Sequence, residues 1–437
     1  MTSTEASPDQ SRNTDSDLAA SPVAGPAHVL YISYNGMLDP LGQSQVLPYL
    51  RGLAKKGIRF TLLSFERSAA FTPAGVSRCR QLREELRREG IEWHWRRYHS
   101  RPTLPATVFD VLAGFLQALR LNRQARFDLV HARSHIPATI ALLLKRWCGT
   151  RMIFDIRGLM AEEYVDARHW QQDSFVYRIT KAMERRILAA ADGIVTLTEQ
   201  IWPIIQGWKG LQGRQVQHEV VPCCVRLDLF NFRPEHRWQR RAELDLENRL
   251  VLVYSGSIGG WYLDDEMAEF FAAFANARPD AHFLWLTPGS SGRINELMSS
   301  HRINHDRYSV IAAAPQDVSS YLSAADVGLS FIKPCFSKLA SSPTKYAEYL
   351  ACGLPLVINS GIGDSDALVN EEKAGVLVSE FTEAEYDKAI AIIEGLLAEA
   401  ETTRRHNRQV AERCFDLGAI GVERYTRLYR AILEDRN

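Results

Sequence analysis

From residue 28 onward, apolar positions fall in short runs of strand length, separated by stretches whose hydrophobic residues recur at the spacing of an amphipathic helix. HVLYISY (28–34) leads into the helical pattern SQVLPYLRGLAKKG, then into RFTLLSF (59–65) and the charged helical pattern SRCRQLREELRREG. FDLVHAR (127–133), the helix PATIALLLKRWCG, RMIFDIR (151–157), a helix around 174–191, DGIVTLT (192–198) and EVVPCCV (219–225) continue the alternation. Such a βαβα rhythm predicts a parallel sheet with helices on both faces.

Residues 226–249 carry a proline, many charges and no clean period, and they read as a boundary. A second alternation follows, through LVLVYSG (250–256), DDEMAEFFAAFANA, HFLWLTPG (282–289), YSVIAAA (308–314), QDVSSYLSAA, DVGLSFI (326–332), SPTKYAEYLACG, LPLVINS (354–360) and AGVLVSE (374–380). Further helices are expected around 383–398 and 421–434. The expected fold class is α/β: two doubly wound parallel-sheet, Rossmann-like domains facing across a cleft. The first should span 28–225 and the second 250–419, with 226–249 as linker and 1–27 as a polar, disordered tail.

Composition narrows the function classes. The 437 residues are 46% hydrophobic and 24% charged, and 52 basic residues balance 52 acidic ones, which leaves no field for nucleic acid. Seven cysteines lie scattered, without a CxxC pair or metal spacing, as expected of free thiols in a reducing compartment; the adjacent Cys223 and Cys224 read as buried neighbours. The N-terminal stretch lacks the basic start and apolar run of a secretory signal. The nearest approach to a membrane span, LPATVFDVLAGFLQALRL (104–121), is interrupted by Asp110, Gln117 and Arg120, so no spanning segment is expected.

In open parallel sheets ligands bind beyond the carboxyl ends of the strands, which directs attention to the loops leaving them. In SYNGMLDPLGQSQ (33–45), Gly36 and Gly42 either admit a ligand or merely make the turn. FDIRGLMAEEYVDAR places Asp155 and Arg157 at a strand end with Glu162 and Glu163 beyond; they can grip a hydroxyl-rich ligand or close the loop as a salt bridge. VYSGSIGGWYLDDEM is glycine-rich without being GxGxxG, so it suits a phosphate and not a dinucleotide, with Asp264 and Asp265 expected to cap the next helix.

The third loop is the most informative. In SSPTKYAEYLACGLPLV, Ser342 is placed to cap a helix over roughly 343–352, which Gly353 and Pro355 end. Lys345 then sits at the wrong end of the helix dipole, which a bound diphosphate would explain, with Lys333 or Lys338 assisting. Glu348 lies on the same helix face, so an ordinary ion pair with Lys345 is the competing account.

Taken together, YISYNGMLDPLGQSQVLPYLRGLAKKG, the DIRGL loop, AADGIVTLTEQ, SGSIGGWYLDDEM, AADVGLSFIK and SPTKYAEYLACGLPLV resemble the family-four glycosyltransferases of the GT-B fold over nearly the whole chain from residue 28. The resemblance implies a retaining enzyme that uses a nucleotide diphosphate sugar as substrate and needs no cofactor or metal. It implies that the second domain binds the donor through Gly256, Ser257, Ala314, Ser342, Thr344, Lys345 and Glu348, the last holding the ribose. Gly42, Gln43, Arg157 and Glu162 of the first domain would meet a carbohydrate or polyprenyl-linked acceptor, with Lys345 and Arg157 as the catalytic pair. The C-terminal helix, about 420–437, would cross back to the first domain.

Two departures stand out. Ala340 occupies the place of the family's first motif glutamate, and Ser257, Trp261 and Tyr262 stand near its usual arginine and lysine. They keep open a catalytically degenerate nucleotide-sugar-binding or regulatory protein of the same fold, whereas a dehydrogenase lacks its fingerprint. GDSD (363–366) spells a DxD, the metal signature of the other glycosyltransferase fold, but lies too late in the domain for that role. Eight arginines in 78–101, followed by an apolar face of Val108, Val111, Leu112, Phe115 and Leu119, suggest peripheral contact with the inner face of a membrane from a cytoplasmic position, or simply two ordinary helices.

Overall fold

The computed structural model describes residues 27–289 and 291–434; the expected N-terminal tail, but for Ala27, lies outside them. The first sheet has seven parallel strands: β1 (His28–Ser33), β2 (Arg59–Glu66), β3 (Ile91–Arg97), β4 (Leu129–Arg133), β5 (Arg151–Asp155), β6 (Gly193–Thr196) and β7 (Gln217–Val220), in the order β3-β2-β1-β4-β5-β6-β7. The second has six: β8 (Leu250–Ser255), β9 (Ala281–Leu286), β10 (Tyr308–Ile311), β11 (Val327–Ser330), β12 (Leu356–Asn359) and β13 (Gly375–Val378), in the order β10-β9-β8-β11-β12-β13.

Central strands covered on both faces should be apolar throughout, and they are. In β1, Leu30 and Ile32 enter one apolar cluster while Val29 and Tyr31 enter the opposite one; in β8, Val251 and Val253 separate likewise from Leu252 and Tyr254.

The stretch 226–249 is not a bare linker. It contains a helix, Pro234–Glu243, whose Arg237 and Arg241 both reach the Asp326 carboxylate at 2.6 Å, while Asp326 also accepts from Val251 N–H at 2.9 Å. The helix therefore belongs to the second sheet's packing; its charges, which hid its period, are the means of attachment. A helix unforeseen in the sequence, Ala400–Phe415, follows Glu383–Ala398, and the helical stretch after β1 divides into Pro40–Gln45 and Leu47–Lys55.

The last helix, Glu423–Glu434, returns to the first sheet, where Tyr425, Leu428, Tyr429 and Ile432 join its core. Tyr429 Oη meets His131 Nδ1 at 2.5 Å, and Tyr425 donates to Asp155 at 2.9 Å. Where this helix crosses, Gly193 leaves room for Ile432: a Cβ at 193 would lie 2.4 Å from its Cδ1.

Helix Thr103–Ala125 is long and apolar enough to cross a bilayer, contrary to the sequence expectation. Its packing argues against crossing. Ala106, Asp110, Gly114, Phe115, Ala118 and Leu121 are buried on the domain, and the Asp110 carboxylate accepts from Tyr34 Oη at 2.9 Å and His99 N–H at 3.0 Å.

Candidate active site

β8 ends at Ser255 and gives way to a loop in which Gly256, Gly259 and Gly260 all adopt positive φ (140°, 73° and 65°), a conformation that favours glycine. Facing it is the helix Thr344–Ala351, one residue later than expected, with Pro343 and not Ser342 at its N-cap. The Ser342 hydroxyl instead accepts from Cys223 N–H at 3.1 Å, tying the helix entrance to the first domain. The helix is pressed onto the sheet because Gly328 has no side chain: a Cβ there would lie 2.4 Å from the Tyr349 ring, whose hydroxyl in turn accepts from Ser255 N–H at 2.7 Å.

On the same inward face, Lys345 points under the glycine loop. Its side chain is buried, and Nζ has no hydrogen-bond partner. The amine lies 4.0 Å from the Tyr254 ring centre and 3.8 Å from that of Tyr262, and a Cβ at position 256 would stand 2.9 Å from it. Glycine at 256 thus leaves the amine adjoining the loop. Burial drives the Lys345 amine well below the usual lysine range, against the opposing pull of Glu348 and Asp264. Glu348 is half-buried; burial pushes its carboxyl up to about 7 although Lys345 draws it down. The two form no ion pair among the described contacts, so the ordinary helix-surface pair does not account for them.

The other positions separate into groups. Ser257 is exposed and its carbonyl accepts from Tyr254 Oη; Thr344 and Ala314 are half-buried, Ala314 closing a turn to Asp317 N–H at 2.8 Å. Asp264 and Asp265 stand in the first turn of helix Asp264–Ala277 without capping it; Asp264 pairs with Arg293 at 3.1 Å. Gly42 is occupied internally: a Cβ there would lie 2.2 Å from the Gly36 carbonyl oxygen, so its glycine serves the turn. Gln43 is exposed and donates to Met37 O at 2.6 Å. Glu66, unremarkable in the sequence, is buried and accepts from Met37 N–H at 2.7 Å, holding that loop in place.

Arg157 belongs to a buried web. Its guanidinium lies 3.5 Å from Asp155 Oδ1, from Tyr425 Oη and from Cys223 Sγ, leaving Nε without a partner. Burial by itself would raise Asp155, but Arg157, His131 and Arg133 outweigh it and hold the carboxylate ionised. The loop-closing salt bridge is therefore formed. Glu162 pairs with Lys181 at 2.8 Å, with its second oxygen unpartnered.

Further contacts cross between the units near this site. Besides Ser342, Lys338 reaches Glu163 at 3.3 Å and lies 4.0 Å over the Trp261 ring; Ser337 N–H donates to Asp166 at 2.9 Å and Thr198 to Leu339 O at 2.7 Å. The DxD is engaged as well: Asp364 accepts from Glu199 and Gln200 N–H at 2.7 and 3.1 Å, and Asp366 accepts from Gly361 N–H at 3.1 Å. Both carboxylates act as backbone acceptors. Ala340 is 1% exposed and packs in the first unit's apolar cluster. Residues far apart in sequence, such as Glu163 and Lys338, show no local pattern that pairs them.

The family model for a glycosyl transferase 4-like domain matches residues 42–224, and that for glycosyl transferases group 1 matches residues 249–394. The chain belongs to the family-four-type glycosyltransferases. This glycosyltransferase is similar, at 26% identity over 216 residues, to a putative teichuronic acid biosynthesis glycosyltransferase, TuaH, of Bacillus subtilis (strain 168). The similarity covers 49% of this chain and 52% of TuaH, so the chain matches about half the length of that curated relative.

Its GT-B fold is shared with a glycosyltransferase from Rickettsia africae (TM-score 0.69, 14% identity, covering 94% of this chain and 100% of the other). It is shared too with Anabaena HepE, solved in complex with UDP-glucose (TM-score 0.65, 14% identity, covering 92% and 99%).

Proposed function

We propose that the chain is a retaining transferase that moves a sugar from a nucleotide diphosphate sugar to a carbohydrate or lipid-linked acceptor in cell-surface polysaccharide or glycoconjugate synthesis, working on the cytoplasmic side. The observation that carries the reading is the buried Lys345 amine, without a hydrogen-bond partner, beneath the glycine loop that leaves β8. A buried amine without a hydrogen-bond partner is costly, and an anion at that loop would favour its charged form. The UDP-glucose bound by HepE and the teichuronic acid pathway of TuaH support a nucleotide diphosphate donor and a polymer acceptor. Seven free cysteines support a reducing compartment.

The chemistry follows from where charge grows. As the sugar acquires oxocarbenium character, negative charge accumulates on the departing diphosphate, and the Lys345 amine beneath the 256–260 loop lowers that barrier. The leaving phosphate takes the acceptor proton, so no protein base is required. Arg157 stands behind this centre, its guanidinium engaged by Asp155; we assign it to positioning the loop that meets the acceptor. Glu348, ionised, would accept from the ribose hydroxyls.

A screen of nucleotide diphosphates and their sugars by thermal shift tests the reading, UDP first, since a ligand that binds the folded state must stabilise it. Glu348→Ala should weaken nucleotide diphosphate binding by about 30- to 100-fold, the worth of a charge-assisted hydrogen bond. Unchanged affinity would remove Glu348 from the site. Burial of Ala340 favours the degenerate binder as second reading, and release of free nucleotide from a donor in the presence of acceptor extracts separates the two.

A further inference from the structure

The apolar face expected on helix Thr103–Ala125 is largely the one turned inward: Phe115 is buried, and Val111 and Leu119 pack against the same cluster. The helix is apolar on its outer face as well. Leu104, Val108, Leu112 and Leu116, four residues apart, form a stripe with Phe109 beside it, and these five side chains are 49–64% exposed. Trp147 of the adjoining helix His135–Cys148, edge-on to Phe115 at 5.9 Å, is 72% exposed, as is Phe175 on helix Phe175–Ala190. Large apolar side chains gathered on one helical layer mark a surface that something covers.

Charge identifies the cover. Between residues 101 and 190 nine arginines are exposed, Arg120, Arg123, Arg178 and Arg185 among them, against one exposed acidic residue, Asp173. Across the chain as a whole the charges balance, so the excess is local. The arginine-rich helix Pro73–Arg88, which the sequence suggested as partner of this surface, packs in the opposite helical layer and takes no part.

We infer that this layer docks on an anionic bilayer, with the outer stripe of Thr103–Ala125 lying in the plane of the headgroup–acyl boundary and the surrounding arginines on lipid phosphates. A second copy is disfavoured because two such faces would oppose arginine to arginine. Insertion across the bilayer is disfavoured because the inner stripe holds the core of the first domain. Docking adds to the proposed transfer activity a place at which a lipid-linked acceptor is met, and binding is measured without donor or acceptor, so the two ideas fail separately.

The test is sedimentation of the full chain with phosphatidylcholine vesicles, with and without phosphatidylglycerol. The expected result is binding to the anionic vesicles, weakened by added salt. The double substitution Leu112→Asp, Leu116→Asp should lower the bound fraction's partition constant by about tenfold or more, and Arg178→Glu, Arg185→Glu should lower it as well. Both variants change exposed side chains and should keep the wild-type circular dichroism spectrum and melting temperature. A wild-type chain that stays in the supernatant overturns docking, as does equal binding by the leucine variant. A dimer in analytical ultracentrifugation that the leucine variant dissolves would also overturn it, by giving the face to a second copy.

Discussion

Lys345→Met should raise the melting temperature of the ligand-free protein and, in the same molecule, lower kcat/KM for transfer by about 100- to 1000-fold, the usual cost of one preorganised group that stabilises transition-state charge. The two effects have one cause. Methionine fills the space between Tyr254 and Tyr262 without requiring a buried amine to go unpartnered, so stability increases, by about 1–3 kcal/mol. With the amine gone, a nucleotide diphosphate should no longer stabilise the protein to the wild-type extent.

The pH dependence of stability carries a sign set by the burial of the amine. The folded-state pKa of Lys345 lies below its unfolded value, so the unfolded chain binds more protons, and stability falls as pH drops below 10.5. Glu348 runs the other way: its folded value of about 7 exceeds the unfolded 4.5, so its contribution is present below 4.5 and lost as pH rises through 7. Diphosphate binding should favour the protonated form of Lys345 and so draw in protons, whereas ribose binding should favour the ionised form of Glu348 and release them. Calorimetry in buffers of different ionisation enthalpy should therefore show greater proton uptake in Glu348→Gln and net release in Lys345→Met. A Lys345→Met enzyme with wild-type turnover and proton exchange would remove the lysine from the mechanism.

Period and punctuation in the sequence were enough to indicate twelve of the thirteen strands, because β1 and β8 are apolar on both faces and the glycine loops follow them directly; the edge strand β3, charged and half-exposed along much of its length, was passed over. Helix Pro234–Glu243 was hidden because its buried face carries arginines bound to Asp326 and backbone carbonyls in place of apolar residues. Lys345 and Glu348 were legible as an anomaly of the helix dipole, yet the tyrosine cage was not: Tyr254 and Tyr262 come from a strand end and a loop some ninety residues earlier. The surface stripe was legible only in part: of the expected face Val108 and Leu112 are exposed while Val111, Phe115 and Leu119 pack inward, since an all-apolar helix has no period from which to choose the outward face.

Ala340→Glu, which writes the family's missing carboxylate back into the sequence, should destabilise the protein and not activate it. The turn Phe336–Ala340 packs against helix Met160–Asp166 of the first domain, and Ala340 joins the apolar cluster that includes Phe154, Leu159 and Ile201. Thr198 and Asp166 hold the turn there through Leu339 O and Ser337 N–H. A glutamate at 340 must either bury an unpaired carboxylate, at about 3–5 kcal/mol, or part the two units along this seam. Either outcome should appear as a melting temperature several degrees lower, and the second also as a larger radius of gyration in small-angle scattering. A variant that melts with the wild type and turns over faster would mean that the turn swings out to present residue 340 to the donor. If the variant instead loses stability, the sugar must be held by groups already at the cleft, and Glu163, which reaches across it to Lys338, becomes the carboxylate to substitute next.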